Sequence, residues 1–446
     1  MSEQRTLKIH LVLEISVPKE ATVFQALTVA FWRFQGLAAT TLFTAVLKAL
    51  EARARADMEQ RHPGRFRDKG HQGRIWELPF GSVRLALDKL VDRYTGRTVY
   101  PLKEAMDLPK RVTWGEDTLL PGYRLAVLQS FRESNKAVEK TSPDGRAPHH
   151  STLHRRFQGF AEHLDPVPDL AHRRGSKPAA FQQADGTKLA MQDHGRSVGQ
   201  TDLRLVVGSR MPQGRLEVLD FSLGDAWEKI AERLRQRFPT PPKALVSDGE
   251  PGISESLGGP DTVHQRCLVH ARRNLKYALY QDRVKGTDQV PFVDAFAQVP
   301  GLMACQVEVN RLASADRTTL TMLLSASEQA FAALQRRLPS AEFPHTRQYV
   351  LGLIESGLTY LRQLLAGGPA ILVSTNRTES LMSRLALRLK RIGKRWSVPG
   401  AQHMLAAVLT TALHPERYEQ VEALLRGEDK PVVSILITSL ETAWVT

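Results

Sequence analysis

Cysteine is nearly absent from this sequence, which has only Cys267 and Cys305 in its 446 residues. Two cysteines cannot form the disulfide framework of a small secreted protein, and they cannot supply a full cysteine-rich zinc module. Long apolar runs are also missing, because residues such as Arg33 and Lys48 interrupt the most apolar stretch, 22–50. The first segment, MSEQRTLKIHLVLEIS, lacks the basic and then apolar layout of a signal peptide. We therefore expect a cytoplasmic protein that does not enter membranes.

Acidic residues are fewer than basic ones. The chain has 61 Lys and Arg against 47 Asp and Glu, which gives a net charge of +14. A basic surplus of this size favours a polyanionic partner, nucleic acid before a membrane surface. The hydrophobic content of 42% is sufficient for packed cores, and the length indicates two or three domains.

The N-terminal part combines helical and strand patterns. Helical periodicity over 21–60 predicts a long amphipathic helix, and RHPGRFRDKGHQGR after it predicts a basic surface loop. The stretch RIWELPFGSVRLALDKLVDRY then alternates enough to predict a small β-hairpin.

Three helical patches between 119 and 164 have the outline of a helix-turn-helix. The last helix is expected to start with Ser151 or Thr152 as its N-cap. Arg155 and Arg156 on that helix are candidates for contact with DNA phosphates or base edges. A solvated basic face on an ordinary helix bundle remains an equal alternative.

Beyond a proline-rich linker, strands and helices alternate. AFQQADGTKLAMQ, DLRLVVGSR and GRLEVLDFS predict three strands, and a helix over 225–237 precedes the strand KALVSD. This is the chain order of a ribonuclease H-like core. Asp185 lies within the first strand and Asp248 at the end of the last, where α/β sheets bind ligands. For Asp248 alone, a purely conformational Asp-Gly turn is the competing interpretation.

The stretch CLVHARRNLKYAL predicts a helix with Cys267 and His270 three residues apart on one face. A zinc site is a weak interpretation, because a closed structural site needs four ligands. A core cysteine with a satisfied core histidine is the simpler alternative. Arg272 and Arg273 add a basic face that is a candidate for DNA binding.

A last helix is expected to begin near Asn376, with Glu379 in its first turn. The spacing also fits a capping box, in which the glutamate only satisfies a backbone amide. The helix continues into RLALRLKRIGKRW, where positive charge favours contact with a phosphate chain and an aromatic ring could stack on an unpaired base or pack in the core. The candidate DNA-binding residues here are Lys390, Arg391, Lys394, Arg395 and Trp396.

The chain resembles the DDE transposases of bacterial insertion sequences, in the Mutator-like superfamily. The resemblance is carried by four motifs in order: ADGT, SDGEPGI, QRCLVHARRNL, and TNRTES with GKRWSVPGA. The resemblance covers roughly 181–410 and includes the Cys-x2-His signature of that group. It implies that Asp185, Asp248 and Glu379 are the catalytic, metal-binding acids, and that Cys267 and His270 are the signature pair that organises the core. It also implies Mg²⁺, with Mn²⁺ as a substitute, and attack by water or a DNA 3′ hydroxyl without a covalent protein intermediate.

The resemblance further implies a homodimer that binds double-stranded DNA, both the terminal inverted repeats of the element and its target, in association with the nucleoid. Some relatives carry paired cysteines in the N-terminal β-unit. This chain has none there, so no zinc is expected in that domain. The expected fold class is α/β, a ribonuclease H-like catalytic core with an all-helical insertion.

Five segments are expected along the chain. They are an N-terminal helix and small β-unit for DNA-end binding (1–118), a helix-turn-helix and linker (119–178), the first part of the core (179–276), the all-helical insertion (277–370), and the last catalytic helix with C-terminal helices (371–446).

Two other functions compete with transposition. The first is a ribonuclease H-like nuclease that cuts without strand transfer, against which the Cys-x2-His block and the insertion argue. The second is a non-catalytic DNA-binding protein derived from a transposase, which would have no use for three converging acids.

Overall fold

The computed structural model describes residues 23–106, 113–142, 145–167, 179–250, 252–390 and 395–426. The chain is a mixed α/β protein that divides into two compact units. The first includes the described residues up to Phe160 and from Glu419, and the second extends from Ala161 to Tyr418.

The first unit contains a long helix, a three-stranded antiparallel sheet and four shorter helices before its C-terminal segment. Their bounds are α1 Val23–Arg61, β1 Phe66–Leu78, β2 Gly81–Asp92, β3 Thr98–Val99, α2 Pro101–Ala105, α3 Glu116–Ala126, α4 Phe131–Thr141 and α5 His150–Ala161. The predicted long helix and hairpin are confirmed. The expected N-cap at Ser151 or Thr152 is wrong, because α5 already begins at His150.

The expected loop over 61–74 is wrong, because β1 already begins at Phe66 and pairs with β2 from Phe66↔Asp92 to Leu78↔Gly81. The first half of β1 is exposed on nearly every residue, and it contains a register shift between Asp68 and His71. A strand exposed on both faces has no apolar alternation, which is the signal that predicts strands.

The second unit is built on a five-stranded sheet, with helices on both faces and a helical region after its last strand. Its strands are β4 Phe181–Asp193, β5 Arg196–Ser209, β6 Glu217–Leu223, β7 Ala244–Ser247 and β8 Val263–Arg266. Its helices are α6 Trp227–Arg237, α7 Ile253–Leu257, α8 Leu268–Gln281, α9 Val290–Ala297, α10 Gln306–Leu312, α11 Arg317–Arg336, α12 Pro344–Ser356, α13 Thr359–Leu365, α14 Asn376–Leu389, α15 Val398–Leu413 and α16 Pro415–Arg426, the last of which crosses the boundary between the units.

The strand order across this sheet is β6-β5-β4-β7-β8. The first three strands of the unit pair antiparallel, whereas β4 with β7 and β7 with β8 pair parallel. β4 is therefore central, and the carboxyl ends of the parallel strands lie at one edge.

The short strand β7 is covered on both faces. Leu245 packs with Trp227 and Ile230 of α6 on one face, while Val246 packs with α8 and the helical region on the other. This double burial explains the continuous apolar run KALV, which is typical of strands in parallel sheets covered by helices.

Residues 277–370 contain helices and no strand, as the sequence predicts. A buried side chain on β8 connects the sheet to this region. Gln265 donates from Nε2 to the Gly357 carbonyl at 2.9 Å and accepts from the Tyr360 amide at 2.9 Å. Because Gln265 is fully buried, these bonds satisfy backbone groups that water cannot reach.

Candidate active site

Two of the three predicted acids lie side by side on neighbouring parallel strands. Ala184 of β4 pairs with Ser247, the last residue of β7, so Asp185 is the next residue of β4 and Asp248 directly follows β7. Adjacent strands lie about 4.8 Å apart, which places the two carboxylates in range of one another. The structure thus brings together two residues that are 63 positions apart in the sequence.

The chain turns sharply after Asp248. The Glu250 amide donates to Asp248 Oδ1 at 2.9 Å, and Gly249 adopts a left-handed backbone with φ of +91°. A Cβ at Gly249 would lie 2.0 Å from Arg266 Nε, so glycine is needed both for the conformation and for the approach of this guanidinium. Asp248 therefore stabilises this turn, in addition to being a candidate metal-binding carboxylate.

Two polar side chains that the sequence did not single out as site residues hold this turn. Asn274 Nδ2 donates to the Asp248 carbonyl at 3.2 Å, and Arg266 donates to the Gly249 carbonyl at 3.2 Å. The Arg266 guanidinium also lies 4.9 Å from the centre of the Tyr349 ring. Both residues fall within the stretch QRCLVHARRN, but spacing alone gives no sign that they bind backbone carbonyls.

Glu379 lies in the first turn of α14, and its carboxylate faces the strands. The N-cap of this helix is Thr375, whose side chain makes no capping bond, so Glu379 is one position too far along for the capping box. That alternative is wrong in this structure. Instead, Glu379 Oε1 lies 2.6 Å from His270 Nε2.

Cys267 and His270 join the same group. Cys267 is the N-cap of α8 and is fully buried, and its Sγ accepts from the amide and the hydroxyl of Thr375, both at 3.3 Å. Ligand atoms of Cys267, His270 and Glu379 all lie within 4.8 Å of one another. The signature pair therefore connects the start of α8 to the start of α14.

The thiol and the imidazole influence each other electrostatically. Burial raises the pKa of Cys267, but interactions with His270 and Thr375 outweigh it and lower the pKa overall. Burial lowers the pKa of His270, and the interaction with Cys267 and the charge of Glu379 reverse this to a net rise. The imidazole thus lowers the pKa of the thiol, and the thiol raises the pKa of the imidazole.

Asp185 is an acid of this site whose pKa is raised. Its side chain is buried, and burial together with the charge of Asp248 raises the pKa of Asp185 to about 6. The Gly186 amide donates to Asp185 Oδ1 at 2.9 Å and, like the nearby His270, lowers this pKa, whereas the charge of Glu379 raises it. Asp248 and Glu379 are therefore close enough for their charges to act on Asp185.

A further acid, Glu250, lies close to this site and was missed as a candidate. Its Oε2 would lie 3.2 Å from a Cβ at Gly186, next to Asp185. Its Oε1 accepts from Trp227 Nε1 at 3.0 Å, and Arg204 lies 3.5 Å from the same atom. The motif SDGEPG contains it, but a glutamate two positions after Asp248 has no distinguishing pattern in the sequence.

The predicted DNA-binding residues differ in their surroundings. Arg155, Arg272, Arg273, Lys390 and Arg395 are exposed, whereas Arg156 is half-buried and pairs with Glu116. Lys390 Nζ donates to Thr187 Oγ1 at 2.7 Å, two residues beyond Asp185 on β4. Arg391 and Lys394 lie outside the described residues.

Trp396 is a core residue in this structure. Only 6% of its surface is exposed, its Nε1 donates to the Leu389 carbonyl at 3.1 Å, and Arg388 lies 5.1 Å from its ring centre. Because these contacts bury the ring, it cannot stack on an unpaired base in this conformation. Of the two expected roles of Trp396, the structure therefore supports packing in the core.

A scan against protein-family models and a search of curated proteins each found no match for this chain. Within the described ranges, no helix has both the length and the apolar character needed to cross a bilayer.

Proposed function

We propose that this protein is a DDE transposase, which binds the terminal inverted repeats of an insertion sequence and catalyses metal-dependent DNA cleavage and strand transfer. The observation that carries the proposal is the convergence of Asp185, Asp248 and Glu379 at one edge of the sheet. Two acids come from adjacent parallel strands and the third from a helix 131 positions further along the chain.

The topology supports the same proposal. Three antiparallel strands followed by a helix and two parallel strands, in the order β6-β5-β4-β7-β8, match the arrangement expected of a ribonuclease H-like core. The helical region 277–370 lies between the second and third acids, where the resemblance places an insertion.

The donor set fits a hard divalent cation. Asp185, Asp248 and Glu379 offer carboxylate oxygens, which Mg²⁺ prefers, and burial together with the charge of Asp248 raises the pKa of Asp185, so a bound cation would stabilise its ionised form. Bound Mg²⁺ would supply the polarisation of an attacking oxygen and the stabilisation of a leaving one in an in-line phosphodiester reaction.

The residues of the chain have separate tasks in this proposal. Asp185 on β4 and Asp248 just after β7 supply negative charge, and His270 orients Glu379 through the 2.6 Å contact. Exposed Lys390 lies beside β4 through its bond to Thr187, where it can contact a DNA phosphate without reading sequence. Water or a 3′ hydroxyl is the nucleophile.

The test is Mg²⁺-dependent cleavage of a labelled duplex that carries the flanking repeats, with DNA binding measured in parallel. Asp248→Asn and Glu379→Gln should each abolish cleavage and strand transfer while repeat binding persists. Glu255→Gln is the matched control, because Glu255 is an exposed acid seven positions beyond Asp248.

Other outcomes identify the competing functions. Cleavage without joined products in the wild type would indicate a nuclease. Repeat binding with no cleavage under Mg²⁺ or Mn²⁺ would indicate a DNA-binding derivative, and either result refutes the proposed transposase.

A further inference from the structure

The group formed by Cys267, His270 and Glu379 has a ligand chemistry that differs from that of the three acids. It offers one sulfur, one imidazole nitrogen and one carboxylate oxygen, and these atoms lie within 4.8 Å of one another. Mg²⁺ has little affinity for sulfur, whereas Zn²⁺ takes sulfur, nitrogen and oxygen together.

The distances are close to those of a three-ligand zinc site. Bonds of about 2.0 to 2.3 Å at tetrahedral angles place ligand atoms roughly 3.3 to 3.7 Å apart. His270 Nε2 and Glu379 Oε1 are now 2.6 Å apart, and the Thr375 hydroxyl lies 3.3 Å from Cys267 Sγ and 3.5 Å from Glu379 Oε1. To bind the same ion, His270 Nε2 and Glu379 Oε1 would have to separate by roughly 0.7 Å.

Burial and charge favour an ion here. The imidazole is 4% exposed, and its Nδ1 lies buried without a hydrogen bond of good geometry in the described part of the chain. A thiolate and a carboxylate together neutralise a divalent cation, with the imidazole neutral. Glu379 is 32% exposed along its side chain, which leaves a route from solvent and space for a fourth, exchangeable ligand.

We propose that Cys267 Sγ, the His270 imidazole and the Glu379 carboxylate form a binding site for a thiophilic divalent cation of the Zn²⁺ class. Binding displaces the thiol proton and the proton held between His270 and Glu379. The site shares Glu379 with the magnesium set, a part of the proposal that rests on the proposed function, so the two ions compete for that carboxylate.

The test uses Co²⁺ as a spectroscopic substitute for Zn²⁺, titrated into the full chain after treatment with a chelator and without DNA. We expect one equivalent of Co²⁺ to produce a sulfur-to-cobalt charge-transfer band, and one equivalent of Zn²⁺ to remove it. Cys267→Ser should abolish the band. Cys305→Ser is the matched control and should retain it, because Cys305 is the other cysteine and is exposed.

The Glu379→Gln variant keeps the buried thiol and should bind Co²⁺ at least tenfold more weakly. It replaces Cys267→Ser as the test if circular dichroism shows that Cys267→Ser is unfolded. A folded wild type without the band, a band lost in Cys305→Ser, or unchanged affinity in Glu379→Gln would overturn the site. Excess Mg²⁺ should weaken Co²⁺ binding. A band indifferent to Mg²⁺ would overturn only the sharing of Glu379, and a missing band with intact cleavage would separate this proposal from the proposed function.

Discussion

Replacing Asp185 by asparagine should stabilise the metal-free protein. The pKa of the folded-state carboxyl is about 6 against an ordinary value of 3.8, a difference of about two units. At 1.36 kcal/mol per unit, the ionised carboxylate costs the fold up to about 3 kcal/mol. An asparagine side chain is nearly the same size and carries no charge, so the Asp185→Asn variant escapes this cost.

The sign of the pH dependence follows from the raised pKa. Between pH 4 and 6 the folded chain holds the Asp185 proton more tightly than the unfolded chain does, so the free energy of unfolding falls as pH rises through this window. The full destabilisation is present above pH 6. Asp185→Asn should therefore match the wild type near pH 3.5 and exceed it at pH 8.

Thermal unfolding at a series of pH values measures this difference, with a chelator present. At pH 8 we expect the variant to unfold roughly 6 to 12 °C above the wild type in the transition of the second unit. Adding Mg²⁺ should raise the wild type toward the variant, because a ligand that binds only the folded state stabilises it.

Asp193→Asn is the matched control, since Asp193 ends the same strand but is exposed. It should leave the pH profile unchanged. If Asp185→Asn is less stable than the wild type at pH 8 in the absence of metal, the argument that this acid carries uncompensated charge is refuted.

Three further predictions concern residues that support the site. Gln265→Leu should lower the free energy of unfolding by roughly 2 to 5 kcal/mol, because it leaves buried groups of Gly357 and Tyr360 unpaired; denaturant unfolding measures this, and wild-type stability would contradict it. Trp396→Phe should cost about 1 to 2 kcal/mol through one lost hydrogen bond and some volume, with affinity for single-stranded DNA unchanged, so a selective loss of DNA binding would restore the stacking role. Gly249→Ala should reduce cleavage at least tenfold with repeat binding intact, because the left-handed turn is strained by a side chain, and normal cleavage would show that the turn tolerates it.

Much of the second unit could be predicted from the sequence because its signals are local. The apolar run of β7 and the strand-forming stretches of β4 and β5 predict strands, which place Asp185 within β4 and Asp248 at the end of β7. The existence of a helix that carries Glu379 also follows from local periodicity. These features depend only on neighbours within a few positions.

The contacts among distant residues could not be predicted in the same way. The bond between His270 and Glu379 joins residues 109 positions apart, and the bond of Thr375 to Cys267 depends on the same packing of two helix starts. Glu250 lies close to Gly186, the neighbour of Asp185, only because the fold brings together residues that are 64 positions apart. For Trp396, the neighbouring basic residues favoured the prediction of DNA binding. Its burial instead depends on contacts with Arg388 and Leu389 of the preceding helix.

The order of the acids along the chain sets when the site can form. A ribosome that has made residues 1–370 has already produced every strand of the second unit's sheet, with both aspartates, but not the helix that begins at Asn376. At about 5 to 20 residues per second, the codon for Glu379 is read roughly 7 to 26 s after that for Asp248. A chain that stops between residues 249 and 378 therefore carries Asp185 and Asp248 without Glu379, and the proposed function predicts that it cannot cleave DNA.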